Sequence, residues 1–116
     1  MTYTIYHNPR CRKSREGIEL LHENGIEPNI IEYIKNPLSK KEIKEILKEL
    51  ECQPIDMIRT KEPEFKELLK KNSAPTHEDY IALMEAHPKT IERPIVRKSG
   101  KAVIARPKEN ILKLFK

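Results

Sequence analysis

At 116 residues the chain can form one core of modest size, so a single domain over 1–116 is expected. Hydrophobic residues make up 37% and charged residues 35%, which excludes a purely polar disordered chain and predicts a compact fold with a heavily ionic surface. The formal charge of +5 permits attraction to anions without selecting one.

No apolar run approaches the roughly 20 residues of a membrane helix, and the first residues carry neither a basic leader nor an apolar signal region. A cytoplasmic setting with no membrane partner is expected. Trp is absent and no nucleic-acid or phosphate-loop signature occurs, so nucleic acid is not an expected partner. Two cysteines, Cys11 and Cys52, are too few for a disulfide framework or a clustered metal site, so no metal is expected.

In chain order, Thr2 to Tyr6 reads as a short strand halted by His7-Asn8-Pro9. Ser14, Gly17, Ile18 and Leu21 then recur at helical spacing from Cys11 to about Asn24, with Gly25 set for a carboxyl-terminal cap. Asn29 to Tyr33 reads as a second strand, and strand-helix-strand predicts a right-handed parallel crossover. A helical insert over about 38–88 follows. Ser39 and Glu42 form a capping-box pattern before Ile43, Ile46, Leu47 and Leu50. Phe65, Leu68 and Leu69 mark a second helix after Pro63, and a third runs from Thr76 to His87 with Tyr80, Leu83 and Met84 on one face. Arg93 to Arg97 and Lys101 to Ala105 then flank a tight turn at Gly100, and Pro107 opens a last helix with Ile111, Leu112 and Phe115.

The chemistry gathers at Cys11. A sulfur where a loop enters a helix can face the unpaired N–H groups of the first turn, which favours thiolate. Arg10, Arg12, Lys13 and Arg15 surround it. Cations at a helix amino terminus oppose its dipole, each at about 0.3–1 kcal/mol, and a bound anion would offset that cost. An inert buried thiol in a basic segment is the alternative. Cys11-x-x-Ser14 after the first strand, with Arg93-Pro94 opening the later hairpin, suggests an α/β thioredoxin-like fold, β-α-β…β-β-α, with the insert between the second and third strands. Pro94 is then the expected cis-proline facing the cysteine.

The stretches Tyr6-His-Asn-Pro-Arg-Cys-Arg-Lys-Ser14, Ile58-Arg-Thr-Lys-Glu62, Glu92-Arg-Pro-Ile-Val96 and Ala105-Arg-Pro107 resemble those of the glutaredoxin-coupled arsenate reductase family, over essentially the whole chain. The resemblance implies that Cys11 attacks the arsenic of arsenate and forms a covalent adduct. It implies that Arg59, Arg93 and Arg106 bind arsenate or a similar oxyanion, that His7 helps to depress the cysteine pKa, and that Ser14 lies near the sulfur. Without it, the three arginines read as ordinary surface cations.

Ser14 stands where a resolving thiol would be, so an external thiol must release Cys11, and the family uses glutathione and then glutaredoxin. No bound cofactor is implied, with glutathione serving as co-substrate. Cys52 matches no resolving cysteine and reads as a half-buried structural thiol. Two other readings use the same residues: a glutathione-dependent thiol-disulfide oxidoreductase, and a regulator resembling the Spx-type proteins that bind RNA polymerase. The latter commonly carry Cys-x-x-Cys, which this chain lacks.

Overall fold

The computed structural model describes residues 2–115. They fall into two compact units, one comprising the chain up to Asn36 together with that from Arg93 onward, the other Pro37–Glu92.

The first unit is built on a four-stranded sheet of β1 (Tyr3–His7), β2 (Asn29–Glu32), β3 (Ile95–Lys98) and β4 (Lys101–Ile104). Helix α1 (Arg12–Glu23) connects β1 to β2, which pair in parallel, while β3 is antiparallel to both β1 and β4. The spatial order β2-β1-β3-β4 puts β1 and β3 in the centre, where Ile5 pairs with Ile30 on one side and Val96 on the other. This is the thioredoxin-like arrangement expected from the element order. β3 begins two residues later than the sequence pattern suggests, because Arg93 and Pro94 precede the first paired residue, Ile95. The Ser99-Gly100 turn has positive φ at both positions, 50° and 80°. Two such residues match the twist of the strands they join, which makes the hairpin tight.

Leu21 of α1 meets Ile5, Val96 and Ala105 from the sheet region and Ile111 and Leu114 from the last helix. Each fully buried aliphatic side chain of this kind contributes about 1.5–3 kcal/mol. That last helix, Lys108–Phe115, is a 3-10 helix. Its buried residues are Ile111 and Leu114, while Leu112 is 43% exposed, so the apolar stripe differs from the predicted Ile111, Leu112 and Phe115. An i, i+3 pair suits three residues per turn better than 3.6. Asn110 Nδ2 ties its start back by donating to the carbonyl of Ile104 at 3.0 Å.

The second unit holds α2 (Lys40–Leu50), α3 (Pro63–Lys71) and α4 (His77–Ala86), with 3-10 turns at Pro54–Met57 and Pro88–Thr90 that the sequence pattern did not mark. Helix α2 carries the expected capping box: Ser39 Oγ accepts from the Glu42 N–H at 3.2 Å, and Ile43, Ile46 and Leu47 are buried below it. Thr76 caps α4 in the same way with Asp79. On α4 the buried residues are Ile81, Leu83 and Met84, whereas Tyr80 instead stacks on Phe65 with ring centroids 6.3 Å apart. Ile58 bridges to Ile91, closing Met57 to Arg59 onto Thr90 to Glu92. No helix among the described residues is long and apolar enough to cross a membrane.

Two substitutions probe this architecture. A Cβ on Gly17 would lie 3.2 Å from Pro94 Cγ and 3.3 Å from Ile5 Cδ1. Gly17→Val is therefore expected to overpack the α1–sheet contact and cost about 1–3 kcal/mol, measured by urea unfolding. Ser39→Ala removes one side of a capping box on an exposed helix end and is expected to cost about 1 kcal/mol in the same assay.

Candidate active site

The loop between β1 and α1 is organised by Asn8. Its carbonyl accepts from the Cys11 N–H at 2.9 Å, its side-chain oxygen accepts from the Arg10 N–H at 3.1 Å, and its own N–H donates to Ser14 Oγ at 3.0 Å. Asn before Pro is a turn-forming pair, which is the only sequence signal for this role. The result leaves Cys11 extended at the helix N-cap, φ −95° and ψ 120°, with its carbonyl accepting the first intrahelical bond from Arg15 at 3.1 Å.

The half-buried Cys11 sulfur sits among donors. Burial works against its ionisation, but the hydrogen bond from Arg93, the N–H of Ser14, the Arg93 charge and the N–H of Lys13 outweigh it, and the thiol titrates below its ordinary value. The cation acting on the sulfur is thus Arg93, which is remote in sequence. The flanking cations, credited from sequence, engage elsewhere: Arg12 and Lys13 pair with Glu16 at 3.3 and 3.8 Å, and Arg15 Nη1 donates to the Pro9 carbonyl at 2.8 Å. Cys52 behaves oppositely, since burial and the negative charge of Asp56 push its thiol up. Both thiols are free.

His7 and Ser14 form a buried pair, with Nδ1 and Oγ 2.6 Å apart. Burial lowers the His7 pKa against the opposing charge of Glu32, its register partner on β2, and Arg15 lowers it further. A neutral imidazole at neutral pH meets Ser14 as a hydrogen-bonding partner rather than as a cation. Ser14, wholly enclosed, fastens the start of α1 to the end of β1 through His7 and Asn8.

Arg93 acts on Cys11, and Cys11 and Tyr33 in turn favour its charged form; the sequence reading assigned Tyr33 no site role. Pro94 follows Arg93 through a cis peptide, and a second cis peptide joins Arg106 to Pro107. Pro94 Cγ lies over Gly17 of α1, 3.2 Å from where a Cβ would stand, so the missing side chain eases the close approach of the ring. Arg106 is exposed at the exit of β4 in the same unit, its N–H donating to the Ile104 carbonyl at 2.8 Å. Arg59 belongs to the second unit. Its Nε lies 4.0 Å from Glu62 and 3.9 Å from Glu92, and its Nη1 is buried with no hydrogen-bond partner among the described residues. A buried guanidinium nitrogen without an acceptor is costly. No three His, Cys, Asp or Glu side chains among the described residues converge as metal ligands.

Because the Cys11 pKa is depressed, its thiolate pairing stabilises the fold above the unfolded thiol's pKa and is lost as pH falls through the folded value. Alkylation of Cys11 by iodoacetamide, followed by peptide mass analysis, is expected to titrate with a midpoint below the ordinary thiol value of about 8.5. Arg93→Ala should raise that midpoint, and Cys52 should react only at higher pH.

The ArsC family model matches residues 6–114. The chain is 43% identical to the Escherichia coli K12 protein YfgD over 111 residues, covering 95% of this chain and 93% of that protein. It is 38% identical to an arsenate reductase of Haemophilus influenzae over 116 residues, covering 99% of this chain and 100% of the other. Among solved structures, the arsenate reductase from Vibrio cholerae is similar at a TM-score of 0.92 and 41% identity, covering 97% of each chain. A cysteine at the head of α1, an arginine joined to its sulfur and relatives aligned along nearly their whole length lead to one assignment: this chain belongs to the ArsC family.

Proposed function

We propose that the protein reduces arsenate to arsenite through a covalent Cys11 adduct, with electrons supplied by glutathione and glutaredoxin. The observation that carries this reading is the half-buried Cys11 thiol, held toward thiolate by Arg93 and by the N–H groups at the start of α1. The arsenate reductases among its relatives support the choice of oxyanion.

Arsenate is a compact oxyanion with more than one negative charge near neutrality, and guanidinium groups bind such anions through paired, charge-assisted hydrogen bonds. In this reading Arg93 presents part of its guanidinium to Cys11 and another part to the anion, while Arg59 and Arg106 take further oxygens. Charge that develops on oxygen as the sulfur attacks is stabilised by the same groups. His7 and Ser14 keep the loop carrying Cys11 in one geometry.

The electron balance calls for external thiols. Cys11 attacks arsenic, an S–As bond forms and a protonated oxygen departs as water, leaving arsenic at +5. Glutathione replaces a second oxygen in the same way. A glutaredoxin thiolate then attacks the glutathione sulfur, the electron pair of that S–As bond stays on arsenic, and arsenic becomes +3. The products are a glutaredoxin–glutathione disulfide and a Cys11–As(III) adduct, which water hydrolyses to arsenite and free Cys11. Two thiols are oxidised for each arsenic reduced. Ser14 cannot replace either thiol, because a hydroxyl forms no disulfide. A cytoplasmic setting, where glutathione holds thiols reduced, belongs to the same proposal.

The test is NADPH oxidation in a mixture of purified protein, glutathione, glutaredoxin and glutathione reductase on addition of arsenate. Wild type is expected to consume NADPH, Cys11→Ser to be silent, and Cys52→Ser to retain the rate. Arg59→Ala and Arg106→Ala should each lower kcat/KM for arsenate by about tenfold or more, the usual effect of losing a hydrogen bond to a charged group. Absence of an arsenate-dependent rate, with reduction of a glutathionylated peptide, would replace the proposal with a thiol-disulfide oxidoreductase.

A further inference from the structure

We propose that Arg10, Arg12 and Lys13 form a cationic rim that recognises the thiol releasing Cys11, selecting one that carries carboxylates over neutral or cationic thiols. The inference deepens the proposed function and rests on its reading that an external thiol completes the cycle.

The flanking cations have no part in tuning the sulfur, and their charge is not cancelled. Residues 10–16 hold four cations and one carboxylate, a net of three of the chain's five formal positive charges. None of those four side chains is among the groups that set the ionisation of Cys11, which Arg93 and the α1 amides control. Arg12 and Lys13 share the single carboxylate of Glu16 with side chains 84% and 51% exposed, and exposed pairs of that kind are weak and screened. Arg15 gives one N–H to a carbonyl, which leaves its charge intact. Arg10 has an exposed side chain with no partner among the described residues.

Their placement brackets the sulfur. The turn in which the Cys11 N–H meets the Asn8 carbonyl, and the Arg10 N–H the Asn8 side chain, fixes the backbone of Arg10 immediately before Cys11. Arg12 and Lys13 are the first two residues of α1, whose N-cap is Cys11 and whose first turn holds no acidic residue. An exposed cluster of one sign beside a reacting atom raises the local concentration of opposite charge and speeds its approach, an effect that fades with salt. Glutathione carries two carboxylates and one ammonium, so its thiolate is a dianion. That is the kind of partner this rim fits.

The test uses thiol-disulfide exchange and needs no arsenate. In the Cys52→Ser protein, Cys11 is first joined to 2-mercaptoethanol in a mixed disulfide. An incoming thiolate attacks the outer sulfur, a new S–S bond forms, and Cys11 leaves as thiolate with the electron pair of the broken bond. Loss of the adduct is followed by mass spectrometry with glutathione and with glutathione diethyl ester, which has the same thiol without the carboxylate charges. Each rate is divided by the thiolate concentration. The ratio of the glutathione rate to the ester rate is expected to fall about tenfold when Arg10→Gln, Arg12→Gln and Lys13→Gln are combined, and about two- to threefold in each single variant. Lys101 pairs with Lys98, which pairs with Tyr3 at the start of β1, so Lys101→Gln removes a charge at the opposite end of the sheet and should leave the ratio where it was. A ratio that the combined variant does not lower, or that Lys101→Gln lowers as much as Arg12→Gln does, would overturn the inference.

Circular dichroism checks that each variant folds. Should the combined variant not fold, the Cys52→Ser protein itself decides. Its ratio is expected to fall about fivefold between about 20 mM and about 0.5 M sodium chloride, where the Debye length shrinks to about 4 Å, and a ratio indifferent to salt overturns the inference. Charge selection at the rim without arsenate-dependent turnover would sink the proposed function alone. Turnover with no such selection would sink the inference about the rim alone.

Discussion

The site depends on one opposition: a sulfur withdrawn partly from water, which disfavours its charge, and a guanidinium hydrogen-bonded to it, which favours that charge. Helix α1 adds two backbone N–H groups, from Lys13 and Ser14, and the combined donors prevail over burial. Partial burial is not simply a cost, because the electrostatic influence of Arg93 is stronger where water screens it less. A fully exposed cysteine beside the same arginine would lose much of that influence.

The backbone maintains this opposition through short links of different kinds. Asn8 supplies three hydrogen bonds that shape the loop, and Ser14 closes it onto His7 at the end of a central strand. Gly17 lets the Pro94 ring approach α1, so the segment carrying Arg93 packs against the same helix that presents Cys11. Beneath them, Ile5, Leu21, Val96 and Ile111 form the apolar support. Loop, helix and strand entry are thus anchored to one core, which limits the freedom of the sulfur and its cation together.

The sequence reading recovered what short-range rules govern. Ser39 with Glu42, the Thr76 cap and Gly100 in its turn are signals within a few residues of the structure they produce, and each element lies where they indicate. Cys11 at the head of α1 was legible for the same reason. The source of its positive partner was not. The neighbouring cations are conspicuous in the sequence, yet Glu16 and the Pro9 carbonyl draw three of them away, and the effective one arrives from the far side of the helical insert. The last helix departed from expectation because an apolar pattern at i and i+3 does not distinguish 3.6 from three residues per turn when the segment is short.

The contrasting surroundings of the two cysteines carry a practical corollary. Burial and Asp56 push the Cys52 thiol up, while Arg93 and the α1 amides bring that of Cys11 down. As the pH is raised, Cys11 therefore becomes chemically addressable before Cys52. A fluorophore or spin label introduced there reports from the mouth of the site without removal of the second thiol.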